Sequence, residues 1–405
     1  MSAGRRRQAL QWPRADTRGT GWSPSHGPSF VTSRGAGPPA ARAGEPVSLS
    51  AAGCRQRQDR LRTLLRARGL DGALVVDPRH VHWLTGHWGR AVFSVLAFVP
   101  ADGPVVLVTA YPPAGDVAAD VTLTFEAARL ATLVDDQPAA AFATLRPVLA
   151  PGAALGCDGP WLPGLLPGVT VYDLRGALLE LRRAKDADEL LLLRRGVAGC
   201  EAAFAAARLR VGSGITEVRL YAEMLAAAVE VVGEPIGEFG NDFQSGGGGG
   251  APRARIPQPG ELIPLDVSVV VRGYCSDLCR TLIVAAEPTA AQHEAHRLIL
   301  GVLREIETMI RPGVTCRSVY ARALERLDGR NGWSFPHHLG HGVGLSQHEA
   351  PRLNPNWDDT FRVGDVFTVE PGLYGEDLAG GVRIEEEYVV TEDGVERLSN
   401  APVGL

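Results

Sequence analysis

The stretch that decides the fold is LIPLDVSVVVRGYCSDLCRTLIV, residues 262–284. Two apolar runs rich in β-branched residues flank the Arg-Gly pair at 272–273, a pattern typical of a β-hairpin with a two-residue turn. In that register Asp266 faces Cys279, and Asp277 lies two residues before Cys279 on the same strand. Period-2 alternation then places Asp266 and Asp277 on one face of the hairpin as diagonal neighbours.

Two carboxylates on one face of an apolar hairpin repel each other and lose hydration when they are buried. A cation bound between Asp266 and Asp277 would relieve both costs. The alternative is a pair of solvated aspartates on an exposed face. The hairpin alone does not decide between these interpretations, so the decision depends on the other candidate segments.

The second candidate segment is FPHHLGHGVGLSQHE, residues 335–349, which contains four of the ten histidines in the chain. Glycines on both sides of His341 allow a close approach of the backbone and leave the imidazole unobstructed. A cluster of this density indicates a site rather than a core. By contrast, His80, His82 and His87 are separated by apolar residues, and we interpret them as structural.

Two further segments contribute carboxylates. The apolar run 366–369 ends at Glu370, immediately before a Pro-Gly turn. In the run 381–390, alternation places Arg383, Glu385 and Glu387 on one face. Each glutamate alone would be interpreted as solvated, since glutamate is almost never buried without a partner.

Taken together, the candidate ligands are four carboxylates and one imidazole. Four negative charges match two divalent cations, and an oxygen-rich set with one nitrogen suits Mn²⁺, Fe²⁺, Co²⁺ or Zn²⁺. Bridging carboxylates can hold two such ions close enough to generate a hydroxide between them. The candidate metal ligands are Asp266, Asp277, His341, Glu370 and Glu385.

These motifs closely resemble those of the pita-bread metallopeptidases, which include methionine aminopeptidase, Xaa-Pro aminopeptidase, Xaa-Pro dipeptidase (prolidase) and creatinase. The resemblance is carried by the two aspartates of the hairpin, Gly-His-Gly-Val-Gly at 340–344, Val-Glu-Pro-Gly at 369–372 and Val-Arg-Ile-Glu at 382–385. Leu-Asp-Gly-Ala-Leu-Val at 70–75 and Trp-Leu-Thr-Gly at 83–86 are similar to the N-terminal domain of the creatinase/prolidase type, which favours the Xaa-Pro branch.

The resemblance implies an α/β (α+β) protein in which a creatinase/prolidase-type N-terminal domain precedes a pita-bread catalytic domain. We place the N-terminal domain at residues 55–184 and the catalytic domain at 185–405, because all the candidate chemistry follows Ala184. Residues 1–54 are rich in Arg, Gly, Pro and Ser and have no apolar periodicity. This composition predicts a disordered tail.

The resemblance also implies roles for the site residues in a dinuclear metal hydrolase. Asp266 would chelate one metal, and Asp277 and Glu385 would bridge both. His341 and Glu370 would complete the other metal site, and Glu370 would also handle the proton of the attacking water. Around the metals, His348 would steady the tetrahedral intermediate, His337 would contact the substrate, and Arg383 would order the ligands.

The chain departs from the family pattern at two places. Relatives carry a substrate-contacting histidine after a Ser-Gly pair, where this chain has Arg253. Arg253 is either a solvated loop residue or a permanent cation that replaces the histidine at the substrate. Cys279 stands where relatives have a small hydroxyl residue. Cys275 and Cys279 share the face of Asp277, and we interpret them as packing residues rather than metal ligands.

We therefore predict a metal-dependent exopeptidase, an Xaa-Pro aminopeptidase or Xaa-Pro dipeptidase, with two divalent ions, Mn²⁺ first among them, and a metal-bridging hydroxide as nucleophile. The alternatives are a hydrolase or lyase of the same fold that acts on a small non-peptide substrate, and a catalytically silent binding homologue. A net charge of −5 argues against nucleic-acid binding. The sequence contains no apolar run long enough to predict a transmembrane helix. Sparse cysteines favour the cytoplasm, and the family suggests a homodimer.

Overall fold

The computed structural model describes residues 47–159, 168–240 and 242–405. The predicted disordered tail lies outside the described residues as far as position 46, and its last part differs from the prediction. Val47 and Leu49 are buried, and the first helix begins at Ala51 with Ser50 as its N-cap. The amide and hydroxyl of Ser50 both donate to Asp188, at 2.8 and 3.0 Å. Because Asp188 is distant in sequence from Ser50, no local sequence pattern predicts this start of the helix.

The N-terminal half is built from short helices and strands. Its helices are α1 Ala51–Ala67, α2 Pro78–Thr85, α3 Gln137–Leu145 and α4 Arg175–Leu181. Its strands are β1 Gly72–Val75, β2 Leu96–Pro100, β3 Val106–Thr109, β4 Val121–Thr124, β5 Ala128–Arg129, β6 Thr132–Leu133, β7 Ala154–Cys157 and β8 Thr170–Asp173.

Six of these strands form one mixed sheet in the order β4-β3-β2-β1-β7-β8. The central strand β1 is antiparallel to β2 and parallel to β7. Both faces of this sheet are covered, because Ala73 and Val75 pack into one apolar cluster while Leu74 packs into another. Burial on both faces explains why β1 is continuously apolar rather than alternating.

The C-terminal half carries the long elements. Its helices are α5 Ala187–Arg210, α6 Glu217–Val232, α7 Ala290–Met309 and α8 Cys316–Leu327. Its strands are β9 Leu262–Val271, β10 Tyr274–Ile283, β11 Gly340–Gly342, β12 Glu349–Leu353, β13 Val366–Val369, β14 Gly372–Gly375, β15 Gly380–Arg383, β16 Glu386–Val390 and β17 Val395–Arg397.

The predicted hairpin is confirmed in its register. Strands β9 and β10 pair so that Asp266 faces Cys279 and Asp277 faces Ser268. Arg272 and Gly273 form the turn with φ of 48° and 84°. Positive φ at both turn residues matches the right-handed twist of the flanking strands, which is why this kind of turn closes two-residue hairpins.

Two features place the hairpin at the centre of the C-terminal half. Helix α5 packs on both of its strands, and the approach is close because Gly196 faces Ser276 without a side chain. On the other side, isolated bridges link Cys279 to Glu385 and Asp266 to Asp242. The five-stranded sheet β12-β11-β13-β16-β17, with α7 and α8 packed in the same apolar cluster, thus meets the hairpin at its carboxylates.

Candidate metal centre and active site

A cavity of about 410 Å³ opens between the hairpin and the five-stranded sheet. Eight of the nine site residues predicted from the sequence line it, and Arg253 does not. The predicted residues on the wall are Asp266, Asp277, His337, His341, His348, Glu370, Arg383 and Glu385. Glu238, Asp242, His338 and Gln347 also line the cavity.

The tightest group in the cavity consists of Asp277, His341 and Glu385. Each of these buried residues offers one ligand atom, and the three atoms lie within 4.8 Å of one another. Asp277 comes from β10, His341 from β11, and Glu385 from the residue that joins β15 to β16. Three separate segments therefore converge on one point, as a polydentate metal site requires.

Glu370 and Asp266 stand beside this group. Glu370 follows β13, and its Oε1 lies 3.6 Å from His341 Nε2 and 3.3 Å from His338 Nε2. Asp266 Oδ2 accepts a hydrogen bond from Arg383 Nη2 at 2.8 Å. The five predicted metal ligands thus line one cavity, with one oxygen of Asp266 already engaged by a guanidinium.

Glycines on both sides of His341 let β11 fit tightly between its neighbours. A Cβ at Gly340 would stand 2.0 Å from the carbonyl oxygen of Thr368, and a Cβ at Gly342 would stand 2.2 Å from that of Ala350. Neither separation is compatible with a side chain. The glycines thus hold the backbone of β11 against the adjacent segments, and the imidazole of His341 remains at the cavity wall.

Burial and mutual repulsion dominate the electrostatics of the carboxylates. Burial, reinforced by the neighbouring Asp266, raises the pKa of Asp277 well above its ordinary value. Burial, reinforced by Asp277, does the same for the pKa of Glu385. The pKa of Glu370 rises to about 8, through burial first and the charge of Asp266 second. Without a cation, this cluster therefore retains protons near neutral pH.

The donor atoms fit a divalent metal. Asp277 Oδ1, Glu370 Oε1 and Glu385 Oε2 are buried without a hydrogen-bond partner, a costly arrangement that a bound cation would satisfy. Burial, followed by the proximity of His348, lowers the pKa of His341 to about 3, so its imidazole is neutral and keeps a lone pair for a metal. Oxygen donors with a neutral imidazole suit Mn²⁺, Fe²⁺, Co²⁺ and Zn²⁺.

A hydrogen-bonded chain connects His337 to Arg383 along the cavity wall. Arg383 Nη1 donates to the Tyr374 hydroxyl at 3.0 Å, and that hydroxyl lies 3.0 Å from His337 Nε2. His337 Nδ1 lies 2.8 Å from the carbonyl oxygen of His338. Because a carbonyl oxygen only accepts, Nδ1 carries the hydrogen of the ring, so the tyrosine hydroxyl donates to Nε2 and both ring nitrogens of His337 are engaged.

Several residues in or beside the cavity were missed by the sequence interpretation, among them His338, Asp242 and Tyr374. His338 belongs to the quoted histidine cluster, so its proximity to His337 was an available signal. Its ring stacks 5.4 Å from that of His341. Asp242, which pairs with Arg383 Nη2 at 2.5 Å, gave no local signal, because the two residues are far apart in sequence. Tyr374 lies across the β14–β15 hairpin from Arg383 and was not singled out.

Arg253 is held away from the cavity. Its guanidinium donates to both carboxylate oxygens of Glu217, at 2.7 and 2.9 Å, and to the carbonyl oxygen of Ser245 at 2.7 Å. The Glu217 side chain is fully buried at the start of α6. In this structure the cation predicted to contact substrate instead anchors a loop, because a buried carboxylate needs a charged partner.

The two cysteines of the hairpin are buried. Burial raises the pKa of Cys275 to about 12 and that of Cys279 well above its ordinary value. Neither cysteine is among the residues that line the cavity. This favours the interpretation of Cys275 and Cys279 as packing residues.

Comparison with known proteins defines the class. Residues 192–392 match metallopeptidase family M24, and residues 57–188 match the creatinase/prolidase N-terminal domain. The chain belongs to metallopeptidase family M24 and carries the creatinase/prolidase N-terminal domain ahead of the pita-bread domain, as the sequence motifs predicted.

The individual relatives support the same class. The uncharacterized peptidase YqhT of Bacillus subtilis is 26% identical over 364 residues, which cover 86% of this chain and 98% of the relative. The Xaa-Pro dipeptidase of Pyrococcus furiosus is 36% identical over 141 residues. That alignment covers 35% of this chain and only 40% of the length of the dipeptidase. The structure of an Xaa-Pro dipeptidase from Bacillus anthracis shares the fold, with a TM-score of 0.72 at 22% identity over 87% of this chain and 99% of the other.

Proposed function

We propose that the protein is a metal-dependent exopeptidase of the Xaa-Pro type, an aminopeptidase or a dipeptidase, with two divalent ions in the cavity. The observation that carries this proposal is the set of three unpartnered buried carboxylate oxygens beside the neutral imidazole of His341. In this proposal Asp277 and Glu385 would hold both ions. Asp266 would complete one site, and His341 and Glu370 would complete the other.

When bound, the ions supply Lewis acidity toward a peptide carbonyl and a means of activating water. Glu370 is placed to accept and return the proton, because its Oε1 lies in the cavity without a hydrogen-bond partner. His348 is exposed at the cavity wall, where it can donate to the charge that develops on the carbonyl oxygen. Arg383 orients Asp266 and, through Tyr374, fixes the ring of His337.

The remaining features of the proposal are the metal, the assembly and the compartment. We expect Mn²⁺ to be the preferred ion, with Co²⁺, Zn²⁺ and Fe²⁺ as substitutes, and we expect a homodimer. All six cysteines are buried free thiols, which supports a reducing cytoplasm. Among the helices of the described ranges, none combines the length and apolarity needed to cross a membrane.

The test uses the full chain after removal of metal with a chelator and reloading with Mn²⁺, Co²⁺ or Zn²⁺. We expect about two equivalents of metal and hydrolysis of Xaa-Pro dipeptides or longer Xaa-Pro peptides. Asp277→Asn is expected to abolish both bridging and turnover. Asp59→Asn, on the exposed face of α1, serves as the matched control. Full metal loading without turnover of any Xaa-Pro substrate would contradict the proposal.

Arg253 supports a second candidate, hydrolysis or lysis of a small non-peptide substrate by the same metal centre. Relatives place a substrate-contacting histidine where this chain has Arg253, and Arg253 is bound to Glu217. The substrate side of the cavity therefore differs from that of ordinary Xaa-Pro peptidases. A panel of small amides and related C–N or C–S compounds, assayed beside the peptides, separates the two candidates. Loss of metal on dialysis would instead favour a silent binding homologue.

A further inference from the structure

The segment that carries His348 has no regular secondary structure. Residues 344–348 form a series of bends between β11 and β12, and the side chain of His348 is exposed. Even so, its ring is stacked on that of His341, with ring centroids 3.7 Å apart and an angle of 11° between the planes. An exposed side chain on an irregular segment keeps one orientation only if the segment itself is fixed.

Buried cations hold this segment at two points that flank Gln347 and His348. Arg182 Nη2 donates to Ser346 Oγ at 2.6 Å and to Glu349 Oε2 at 2.8 Å. Lys185 Nζ donates to the other carboxylate oxygen of Glu349 at 2.5 Å. Burial alone would raise the pKa of Glu349, but Lys185 and Arg182 outweigh it and keep the pKa below its ordinary value. Glu349 therefore stays ionised and bound.

Arg182 is held in turn by the N-terminal half. Its Nη1 lies 2.7 Å from His80 Nε2, and His80 Nδ1 lies 2.7 Å from Asp158 Oδ2. Because the guanidinium can only donate, Nε2 accepts, and Nδ1 carries the proton that binds Asp158. The other oxygen of Asp158 accepts from the amide of Val76 at 2.7 Å. Asp158, His80, Arg182, Lys185 and Glu349 are buried, whereas Ser346 is half-buried.

We propose that Arg182, supported by His80 and Asp158, is a positioning residue that fixes the 344–349 segment and thereby the ring of His348. The N-terminal half thus sets the geometry of the active site through a continuous chain of hydrogen bonds. The catalytic consequence rests on the proposed peptidase function, whereas the ordering of the segment does not. A 1 Å displacement of a catalytic group can cost about 100-fold in rate.

The matched control is Arg183, the neighbouring arginine. It is equally buried and binds the Asp365 carboxylate at 2.7 and 2.8 Å, with a weaker ion pair to Asp359 at 3.9 Å, and these partners lie outside the 344–349 segment. Arg182→Met and Arg183→Met therefore each remove one positive charge from the segment between α4 and α5. Ser346→Ala removes only one hydrogen bond of the network and serves as the variant that keeps the fold if Arg182→Met fails to fold.

The first measurement is hydrogen exchange of the full chain and does not depend on activity. We expect Arg182→Met, and more weakly Ser346→Ala, to raise amide exchange in residues 344–350 well above its value in Arg183→Met. Equal exchange in this segment for the arginine variants, or unchanged exchange in Ser346→Ala when Arg182→Met does not fold, would overturn the proposal. If the wild-type chain hydrolyses no Xaa-Pro substrate, the proposed function fails while this measurement still decides the positioning role.

The second measurement is kinetic. We expect Arg182→Met to lower kcat about 10- to 100-fold, with KM and metal content near the wild-type values, because His348 is not a metal ligand. In a His348→Ala background, Arg182→Met is expected to cause no further loss, since the group that it positions is gone. Multiplicative losses in the double variant, or an equal fall of kcat in Arg183→Met, would overturn the proposal.

Discussion

Arg383 Nη2 donates to Asp266 Oδ2 at 2.8 Å, so the guanidinium fixes the orientation of a carboxylate assigned to the metal centre. The same nitrogen pairs with Asp242 at 2.5 Å. Burial tends to raise the pKa of Asp266, and the charge of Arg383 is the first influence that opposes the rise. Arg383 therefore orients this carboxylate and partly offsets the effect of burial, although the pKa of Asp266 stays above its ordinary value.

The first prediction concerns Arg383. We expect Arg383→Met to weaken metal binding about 10- to 100-fold, as is usual when a partner of a metal ligand is removed. Isothermal titration of the metal-free protein with Mn²⁺ or Zn²⁺ measures the change. Arg352→Met removes a guanidinium that pairs with Asp359 outside the cavity and should leave the affinity unchanged. Equal affinities for wild type and Arg383→Met would contradict the ordering role.

The second prediction concerns the stability of the metal-free protein. Burial and Asp266 raise the pKa of Glu370 to about 8, above its value in the unfolded chain. A group of this kind contributes stability that is fully present below its unfolded pKa and is lost as pH rises through the folded pKa. We therefore expect the free energy of unfolding to fall from the ordinary glutamate pKa of 4.5 up to about pH 8 and to level off above it, by up to about 1.4 kcal/mol per pH unit for each such group.

Denaturant titrations at several pH values, with chelator present, measure this slope. In Glu370→Gln the free energy of unfolding should fall less steeply with pH, because the amide does not titrate. Metal loading should flatten the profile, since bound cations keep the carboxylates ionised. A slope that is the same with and without metal would be inconsistent with protons held by this cluster.

The third prediction concerns Arg253. Replacement by Met leaves the buried Glu217 carboxylate without its two charged hydrogen bonds, so we expect a loss of about 2 kcal/mol in the free energy of unfolding. The turnover of peptide substrates should stay within about twofold, because Arg253 does not line the cavity. Arg219→Met, which breaks an exposed ion pair with Glu223, is the control and should cost less than about 0.5 kcal/mol.

The Glu217–Arg253 pair also has a pH signature. Although burial opposes it, hydrogen bonding from Arg253 lowers the pKa of Glu217 to about 2. The stability that this pair contributes is present above the unfolded pKa of glutamate and is lost as pH falls toward 2. Arg253→Met should weaken this acid-dependent loss. A raised KM with unchanged stability would mean that Arg253 contacts substrate after all.

The fourth prediction concerns the packing of α5 on the hairpin. A Cβ at Gly196 would stand 2.4 Å from Ser276 Oγ and 3.0 Å from the carbonyl oxygen of Val269. We expect Gly196→Ala to cost about 1–3 kcal/mol despite the better helix propensity of alanine. Gly301→Ala in α7 is the matched control. Its new methyl would meet no atom within 4 Å, so this variant should gain about 0.5–1 kcal/mol. Thermal or urea unfolding distinguishes the two outcomes.

Local patterns predicted much of the fold. The hairpin register followed from a two-residue turn and period-2 alternation, and both are properties of adjacent residues. The start of α1 was missed because Ser50 depends on Asp188, which lies far along the chain.

The same distinction applies to the site. Its carboxylates and histidines stand in recognisable motifs, so eight of the nine predicted residues line one cavity. Asp242 gave no such signal, because it meets Arg383 across a tertiary contact. Tyr374 neighbours Arg383 within the β14–β15 hairpin, but its link to His337 is a tertiary contact. The place of Arg253 depends on Glu217, which belongs to α6, and no spacing within the loop encodes that partner.

Asp277, His341 and Glu385 reach the centre from three separate segments, the last of them close to the end of the chain. Synthesis must therefore pass Glu385 before the third of these donors can join the other two. We expect ion loading to require a chain that reaches Glu385, and fragments that stop before it to remain unloaded. The metal content of a preparation would then measure the proportion of molecules that contain all three donors.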